Sequence, residues 1–182
     1  QNPEKEWPQN VTRSYSGPRT LREALKYSVN TIAVDLYVNQ VTPQIGLSYL
    51  RALGIDRQEE TQPAGALGAF GEGVSTYEMA GAFSTFANQG TYVEPYMYTR
   101  VLDQDGKVLL ENKPEIRQVF TPETAYIMTD IMQDAVENVY WFAPGRLDNQ
   151  ISAGKTGTTD NIIDTWYCGY TPYYTGAVWY GY

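Results

Sequence analysis

The sequence predicts an α+β domain in which an antiparallel sheet is backed by helices. Two observations support this prediction. Apolar residues recur at helical spacing in the first half of the chain and again after residue 121, and strand-like segments follow one another near the C-terminal end. Tight-turn residues separate the last strands, so these strands can pair as neighbours. The 182 residues are 42% hydrophobic, which is enough for one substantial core.

The first part of the chain contains two helix signals. Residues 1–19 are rich in Pro, Asn and Ser and are expected to form an extended lead-in. Thr20 is expected to cap a helix through residues 21–39, whose apolar side chains lie three or four residues apart. Thr42-Pro43 marks a second helix start, and Gly54 marks its end.

A Gly/Ala-rich loop at residues 61–73 leads to a third helix. Ser75 and Glu78 form a capping box at its start, and Gly90 is expected to end it. Residues 96–112 then predict a hairpin that turns at Asp105-Gly106.

The last part of the chain predicts one more helix and the main sheet. The helix starts at Thr121-Pro122 and continues to about Asn138. The expected strands lie near residues 151–158, 164–170 and 174–181.

Composition excludes several kinds of chemistry. The chain has no histidine, so it contains no Ser-His-Asp triad, no Cys-His pair and no histidine-ligated zinc. Any base for acyl transfer must therefore be a lysine or a carboxylate, and no cofactor is expected. The net charge is -8 without a basic cluster, which argues against nucleic acid as a partner. The single cysteine, Cys168, cannot form an internal disulfide.

Three interpretations compete for Lys155, which lies in "SAGKTGTT". Gly154-Lys155-Thr156 matches the end of a phosphate-binding loop, but that motif requires a glycine where this chain has Asn149. The second interpretation is an edge-strand lysine beside a glycine bulge. The third is an anion-binding strand, in which Lys155 supplies positive potential, the hydroxyls of Thr156 and Thr158 donate to a carboxylate, and Gly157 lets a ligand lie against the backbone.

The third interpretation agrees with a resemblance to a known family. Lys155-Thr156-Gly157-Thr158-Thr159 resembles the Lys-Thr-Gly motif of penicillin-binding proteins and serine β-lactamases. Ser28-Val29-Asn30, 127 residues before Lys155, resembles the Ser-x-Asn motif of the same proteins. The segments "GVSTYEMAGAFSTFANQGTYVEPY" and "DTWYCGYTPYYTGAVWYGY" are similar to class A, bifunctional penicillin-binding proteins, and the resemblance extends from about Gly17 to Tyr182.

The resemblance implies part of a penicillin-binding-protein/serine β-lactamase-like transpeptidase domain. The family's nucleophile motif, Ser-x-x-Lys, is assigned to no serine of this chain and is expected before Gln1, and the family's final strand and helix are expected after Tyr182. The expected division is a lead-in at residues 1–19 followed by an incomplete domain at residues 20–182. Within this domain we expect a helical part at 20–90, a hairpin at 95–111, and a helix with the active-site sheet at 121–182.

The activity that the resemblance implies is D,D-transpeptidation in peptidoglycan synthesis. The implied partners are stem peptides ending in D-Ala–D-Ala, β-lactam antibiotics, and either a segment or a separate chain that carries the nucleophile. The implied location is the extracytoplasmic face of the bacterial membrane, with the anchor outside this chain. The alternatives are a non-catalytic module that binds cell-wall peptide or β-lactam, and a serine β-lactamase.

The resemblance also implies roles for individual residues. Ser28 relays a proton, Asn30 binds the substrate amide, and Lys155 maintains the local positive potential. The remaining substrate-binding residues are Thr156, Gly157, Thr158 and Thr159.

Two local features leave alternatives open. Residues two apart in a helix point about 200° away from each other. If Ser28 and Asn30 line one cleft, the helix must therefore break between them, with Asn30 as the cap of the next helix. Otherwise Asn30 is only a cap and Ser28 a buried helical serine. The cluster Tyr140-Trp141-Phe142 either lines the rim of a cleft or packs in the core.

Overall fold

The computed structural model describes residues 7–57, 60–159 and 162–182 and confirms the α+β arrangement. Helix α2 continues directly into a π-helical segment, Leu36–Val41, and 3-10 turns form at Pro63–Leu67 and Tyr140–Gly145. The α-helices of the described residues are α1 Leu21–Lys26, α2 Asn30–Asp35, α3 Pro43–Ala52, α4 Thr76–Ala87 and α5 Pro122–Asn138.

Three antiparallel sheets form from seven strands of the described residues. The main sheet has the order β5-β6-β7, and two small ribbons pair β1 with β4 and β2 with β3. The β2–β3 hairpin is confirmed, whereas the β1–β4 ribbon was not predicted because its three-residue strands show no alternating pattern. The strands are β1 Thr91–Val93, β2 Arg100–Leu102, β3 Val108–Glu111, β4 Ile116–Gln118, β5 Ala153–Thr158, β6 Asp164–Tyr170 and β7 Thr175–Gly181.

The caps predicted for α1, α4 and α5 are confirmed. The Thr20 and Ser75 side chains each accept a hydrogen bond from the backbone N–H three residues on, and the glutamate there bonds back, which completes two capping boxes. Thr121 accepts from the Thr124 N–H at the start of α5. Thr42 precedes Pro43 as expected, but its side chain makes no capping bond.

A single helix through residues 21–39 is wrong, because α1 ends at Lys26 and α2 begins at Asn30. Asn30 is also not the cap of α2, since Val29 occupies that position without a side-chain bond. Asn10 takes over the capping: its Oδ1 accepts from the Thr31 N–H at 3.2 Å. Part of the lead-in thus holds the start of α2, a contact that local sequence rules cannot predict.

Helix α5 packs on both the sheet and α1. Met132 on α5 forms a buried cluster with Ala153 of β5 and Tyr170 of β6, and Leu25 of α1 packs against it. A second cluster at the C-terminal end of α5 joins Ala135, Val136 and Val139 to Phe142, with Tyr167 of β6 against it. Because one helix supports α1 and β5 together, the end of α1 is held beside the sheet edge.

Charged residues fix the same helix pair. Lys26 donates to Asp134 at 2.6 Å, and Arg22 bonds with Asp130. The hydrogen bond from Lys26 lowers the pKa of Asp134. No helix within the described ranges is long and apolar enough to cross a membrane.

Gly90 offers a test of how α4 is joined to the strands that follow. Its N–H donates to the Thr85 carbonyl, its φ is +85°, and an added Cβ would collide with the Phe120 carbonyl oxygen. Gly106 has a φ of +81° but nothing within 4 Å of such a Cβ.

We expect Gly90→Ala to lower the free energy of unfolding by about 2 kcal/mol more than Gly106→Ala, which costs only about 1 kcal/mol of backbone strain. Denaturant unfolding of the natural polypeptide that carries this chain measures both variants. Equal destabilisation by the two variants would contradict the close contact at Gly90.

Candidate functional site

Ser28 lies in the tight turn that ends α1. Its N–H donates to the Leu25 carbonyl at 3.2 Å, and the Val29 N–H donates to the Ala24 carbonyl at 2.8 Å. This pair of bonds is the Schellman arrangement, in which the residue at the position of Ser28 is left-handed and usually glycine. Ser28 has a φ of +52°, which costs a non-glycine residue about 1–2 kcal/mol. A serine in this conformation needs a compensating interaction.

Lys155 supplies that interaction from the middle of β5. Its Nζ donates to Ser28 Oγ at 2.5 Å and to the Thr156 carbonyl at 2.8 Å. The ammonium also lies 5.5 Å from the centroid of the Phe142 ring. Two residues 127 positions apart are therefore directly bonded, as the resemblance to the Ser-x-Asn and Lys-Thr-Gly motifs implies.

Burial lowers the pKa of Lys155 to about 8. Within the described chain, no carboxylate lies within ion-pair distance of its ammonium. Its cross-strand neighbour, Cys168, is buried, and burial raises the pKa of this thiol to about 11, so the thiol stays neutral. At neutral pH Lys155 is therefore a cation with no anionic partner among these groups, which favours an anionic ligand.

Strand β5 presents backbone groups at the free edge beside Lys155. The Thr159 N–H donates to the Asp164 carbonyl at 3.0 Å. This bond shows that the backbone N–H of Thr159, and of every second residue before it, points toward β6. Because N–H groups alternate in direction along an antiparallel strand, those of Thr156 and Thr158 point away from β6. No strand of the described residues pairs with this edge. The edge is thus open to an extended ligand.

The predicted threonines lie in different surroundings from Lys155. Thr156 and Thr158 share one face of β5, whereas Lys155 lies on the other face with Ala153, so their polar groups meet only at the strand edge. Gly157 and Thr158 are exposed. The Thr159 hydroxyl bonds with Asp164, accepting from its N–H at 2.9 Å, and this bond helps to close the turn between β5 and β6.

The whole chain, residues 1–182, matches the family model described as the penicillin-binding protein transpeptidase domain. The chain belongs to this family. It is 41% identical over 177 residues to penicillin-binding protein 1A of Clostridium novyi, a match that covers 94% of this chain and 20% of that protein. The chain therefore spans about a fifth of the length of this curated relative.

Solved structures show the same fold. Penicillin-binding protein 1A from Haemophilus influenzae matches with a TM-score of 0.82 at 24% identity, over 96% of this chain and 32% of that chain. The PonA1 protein from Mycobacterium tuberculosis, solved in complex with penicillin V, matches with a TM-score of 0.76 at 25% identity, over 94% of this chain and 50% of that chain. The predicted fold and the resemblance to class A proteins are confirmed.

No hydrogen bond in the described residues joins Asn30 to Ser28 or Lys155. Its Nδ2 donates to the Gln9 carbonyl at 2.7 Å. Its Oδ1 accepts no hydrogen bond from the described residues. The helix break between Ser28 and Asn30, one of the two alternatives, is present, because Ser28 lies in the turn and Asn30 begins α2.

The expectation that no serine of this chain has a lysine three residues on is wrong, because Ser152-Ala153-Gly154-Lys155 has the Ser-x-x-Lys spacing. The structure argues against Ser152 as a nucleophile. Ser152 is 9% exposed, and its Oγ donates to the Gly145 carbonyl at 3.0 Å. It leads directly into an extended strand, in which residues three apart point to opposite faces, so Ser152 and Lys155 cannot act as a pair. The assignment of the nucleophile to no serine of this chain stays a prediction.

The ion pairs that hold α1 beside β5 were not among the features predicted from the sequence. Arg22 and Lys26 lie four residues apart on α1, and Asp130 and Asp134 lie four apart on α5. Each spacing places two like charges on one face of a helix, positive on α1 and negative on α5. This pattern in the sequence could have indicated that the two helices pack together.

A cavity of about 210 Å³ opens between α5 and the beginning of β5, and neither Ser28 nor Lys155 lines it. Its polar wall contains Thr129 and Tyr170, whose hydroxyls bond at 2.7 Å. Burial raises the pKa of Tyr170 to about 12, so this group is neutral. The cavity therefore offers no charged or nucleophilic partner for the chemistry of the Lys155 site.

The lowered pKa of Lys155 predicts a pH dependence of stability. Between pH 8 and the ordinary lysine pKa of 10.5, the unfolded chain binds the Lys155 proton and the folded chain does not, so the free energy of unfolding rises with pH. From pH 7 to pH 9 this contribution is about 1 kcal/mol. The variant Lys155→Met has no ionisable group at this position and therefore lacks this contribution to the pH dependence.

Denaturant unfolding gives the free energy of unfolding of the natural protein and of Lys155→Met at both pH values. Subtracting one protein from the other cancels the contributions of groups that titrate equally in both. A pH dependence that is identical in the two proteins would show that Lys155 is not desolvated.

Proposed function

We propose that this chain forms part of a serine-type D,D-transpeptidase that cross-links peptidoglycan and is acylated by β-lactams. The observation that carries the proposal is the Lys155–Ser28 hydrogen bond beside the open edge of β5. A Ser-x-x-Lys segment outside residues 1–182, on the same polypeptide or on a separate chain, supplies the nucleophile. This chain alone is then inactive.

The strand edge recognises the donor stem peptide. Lys155 attracts the terminal carboxylate, and the hydroxyls of Thr156 and Thr158 donate hydrogen bonds to it. The Thr158 N–H points to the edge and serves as one oxyanion donor, which is worth about 3 kcal/mol in comparable sites. Gly157 leaves the backbone accessible, because it has no side chain to separate the ligand from the strand.

Ser28 relays a proton to the leaving amine. Because Ser28 Oγ accepts a hydrogen bond from the Lys155 ammonium, its own proton points elsewhere and can be donated. When the nucleophilic serine attacks the penultimate carbonyl, the C–N bond breaks and the departing nitrogen takes the Ser28 proton. The lysine of the Ser-x-x-Lys segment takes the proton of the attacking serine and returns it to Ser28, and an acyl-enzyme ester remains.

Asn30 and Thr159 have supporting roles. The Nδ2 of Asn30 is bonded to the lead-in, so its Oδ1 is the group that faces a substrate N–H. Thr159 keeps the end of β5 in place through Asp164, and this contact fixes the position of Thr158. We place the activity at the extracytoplasmic face of the bacterial membrane, where stem peptides are found.

The test is acylation by penicillin of the natural polypeptide that carries this chain, measured as the mass of the covalent adduct. We expect Lys155→Ala to slow acylation about 100-fold or more, because it removes both the cation and the partner of Ser28. Lys107→Ala, which removes an exposed lysine in the β2–β3 turn, is the matched control and keeps the natural rate.

Undiminished acylation of Lys155→Ala would overturn the proposal. Non-covalent binding of penicillin to the natural protein without an adduct would instead favour a binding module, and rapid hydrolysis of the adduct would favour a β-lactamase.

A further inference from the structure

Three exposed aromatic side chains form a ledge beside the Ser28–Lys155 pair. We call Tyr27, Tyr140 and Trp141 the aromatic ledge; their exposed fractions are 44%, 83% and 47%. The ring of Trp141 is central, with centroids 6.4 Å from Tyr27 and 5.6 Å from Tyr140, and both contacts are edge-to-face. Such contacts fix the rings relative to one another, and the exposed fractions show that part of each ring still faces solvent.

The ledge connects the two sides of the site. Tyr27 directly precedes Ser28, and Trp141 directly precedes Phe142, whose ring lies against the Lys155 ammonium. The predicted cluster Tyr140-Trp141-Phe142 is therefore split: Tyr140 and Trp141 are exposed, whereas Phe142 is 1% exposed and belongs to the core. The ledge is therefore joined to Ser28 through Tyr27 and to the surroundings of Lys155 through Phe142.

The chemistry of the ledge suits an organic cation. Aromatic faces attract ammonium groups within about 6 Å of the ring centroid. Protein cations already use neighbouring rings in this way, since Lys26 Nζ lies 5.8 Å from the Tyr27 centroid. In the described part of the chain, no such contact involves Tyr140 or Trp141, and the net charge of -8 also favours a cation.

We propose that the aromatic ledge is the subsite for the acceptor, and that it binds the alkyl chain and ammonium group of the side chain that carries the acceptor amine. This inference rests on the proposed transpeptidase function. The acceptor amine must enter where the leaving amine departed, because the second acyl transfer is the reverse of the first with a different nitrogen. Ser28 marks that position, and the ledge is the exposed surface next to it.

The transfer step balances without a further reactant. The bound ammonium first releases one proton to solvent and becomes a free amine. Its nitrogen attacks the ester carbonyl of the acyl-enzyme, a C–N bond forms, and the C–O bond to the nucleophilic serine breaks. The second proton of the attacking nitrogen passes through Ser28 Oγ to the departing serine oxygen, so the enzyme is restored.

The experiment compares Trp141→Ala with the natural polypeptide, using a donor peptide ending in D-Ala–D-Ala and two acceptors. One acceptor is a peptide with a primary amine on a four-carbon side chain, and the other is glycinamide, which lacks the alkyl chain. We expect the KM for the alkylamine acceptor to rise about threefold to tenfold. The KM for glycinamide and the rate of penicillin acylation stay unchanged.

Trp141→Phe, which keeps an aromatic face, is expected to restore most of the alkylamine binding. Tyr173→Ala removes an exposed tyrosine from the β6–β7 turn and serves as the matched control. An unchanged KM for the alkylamine in Trp141→Ala would overturn the inference. So would an equal loss of acylation and transfer, which would show that Trp141 only maintains the fold. Absence of acylation in the natural protein would instead remove the proposed function itself.

Discussion

The hydrogen bond from Lys155 to Ser28 is the interaction on which the arrangement of this site depends. It joins the middle of β5 to the turn that ends α1, and it holds a serine in a left-handed conformation that glycine would adopt at lower cost. It also gives Lys155 a polar partner in a place where burial lowers its pKa to about 8. A strained serine and a desolvated lysine thus stabilise each other, an arrangement typical of functional sites.

The rest of the fold keeps these two groups within bonding distance. Helix α5 is the common support, because Met132 packs under β5 while Asp130 and Asp134 bind the cations of α1. Asn10 adds a second support by capping α2 from the lead-in. The ion pairs are partly exposed and each contributes little free energy, so their importance lies in fixing the position of α1 more than in stability.

Local signals predicted most elements of the fold, and the long-range contacts are what sequence analysis could not give. Capping boxes at Thr20 and Ser75 are read from four consecutive residues, so the starts of α1 and α4 were predictable. The cap of α2 was not, because Asn10 lies 21 residues away from Thr31. Likewise, the family resemblance predicted that Ser28 and Lys155 share a site. Strand alternation places Lys155 on the face of β5 opposite Thr156 and Thr158, but it does not predict that Lys155 bonds directly with Ser28.

If Ser28 relays a proton and is not the nucleophile, penicillin attaches to a different serine, and mapping the site of attachment tests this most directly. The natural polypeptide is treated with penicillin, digested, and its peptides are analysed by tandem mass spectrometry. The account predicts an adduct on a serine outside residues 1–182 and none on Ser28 or Ser152. An adduct on either of these two serines, or a protein that forms no adduct at all, would contradict it.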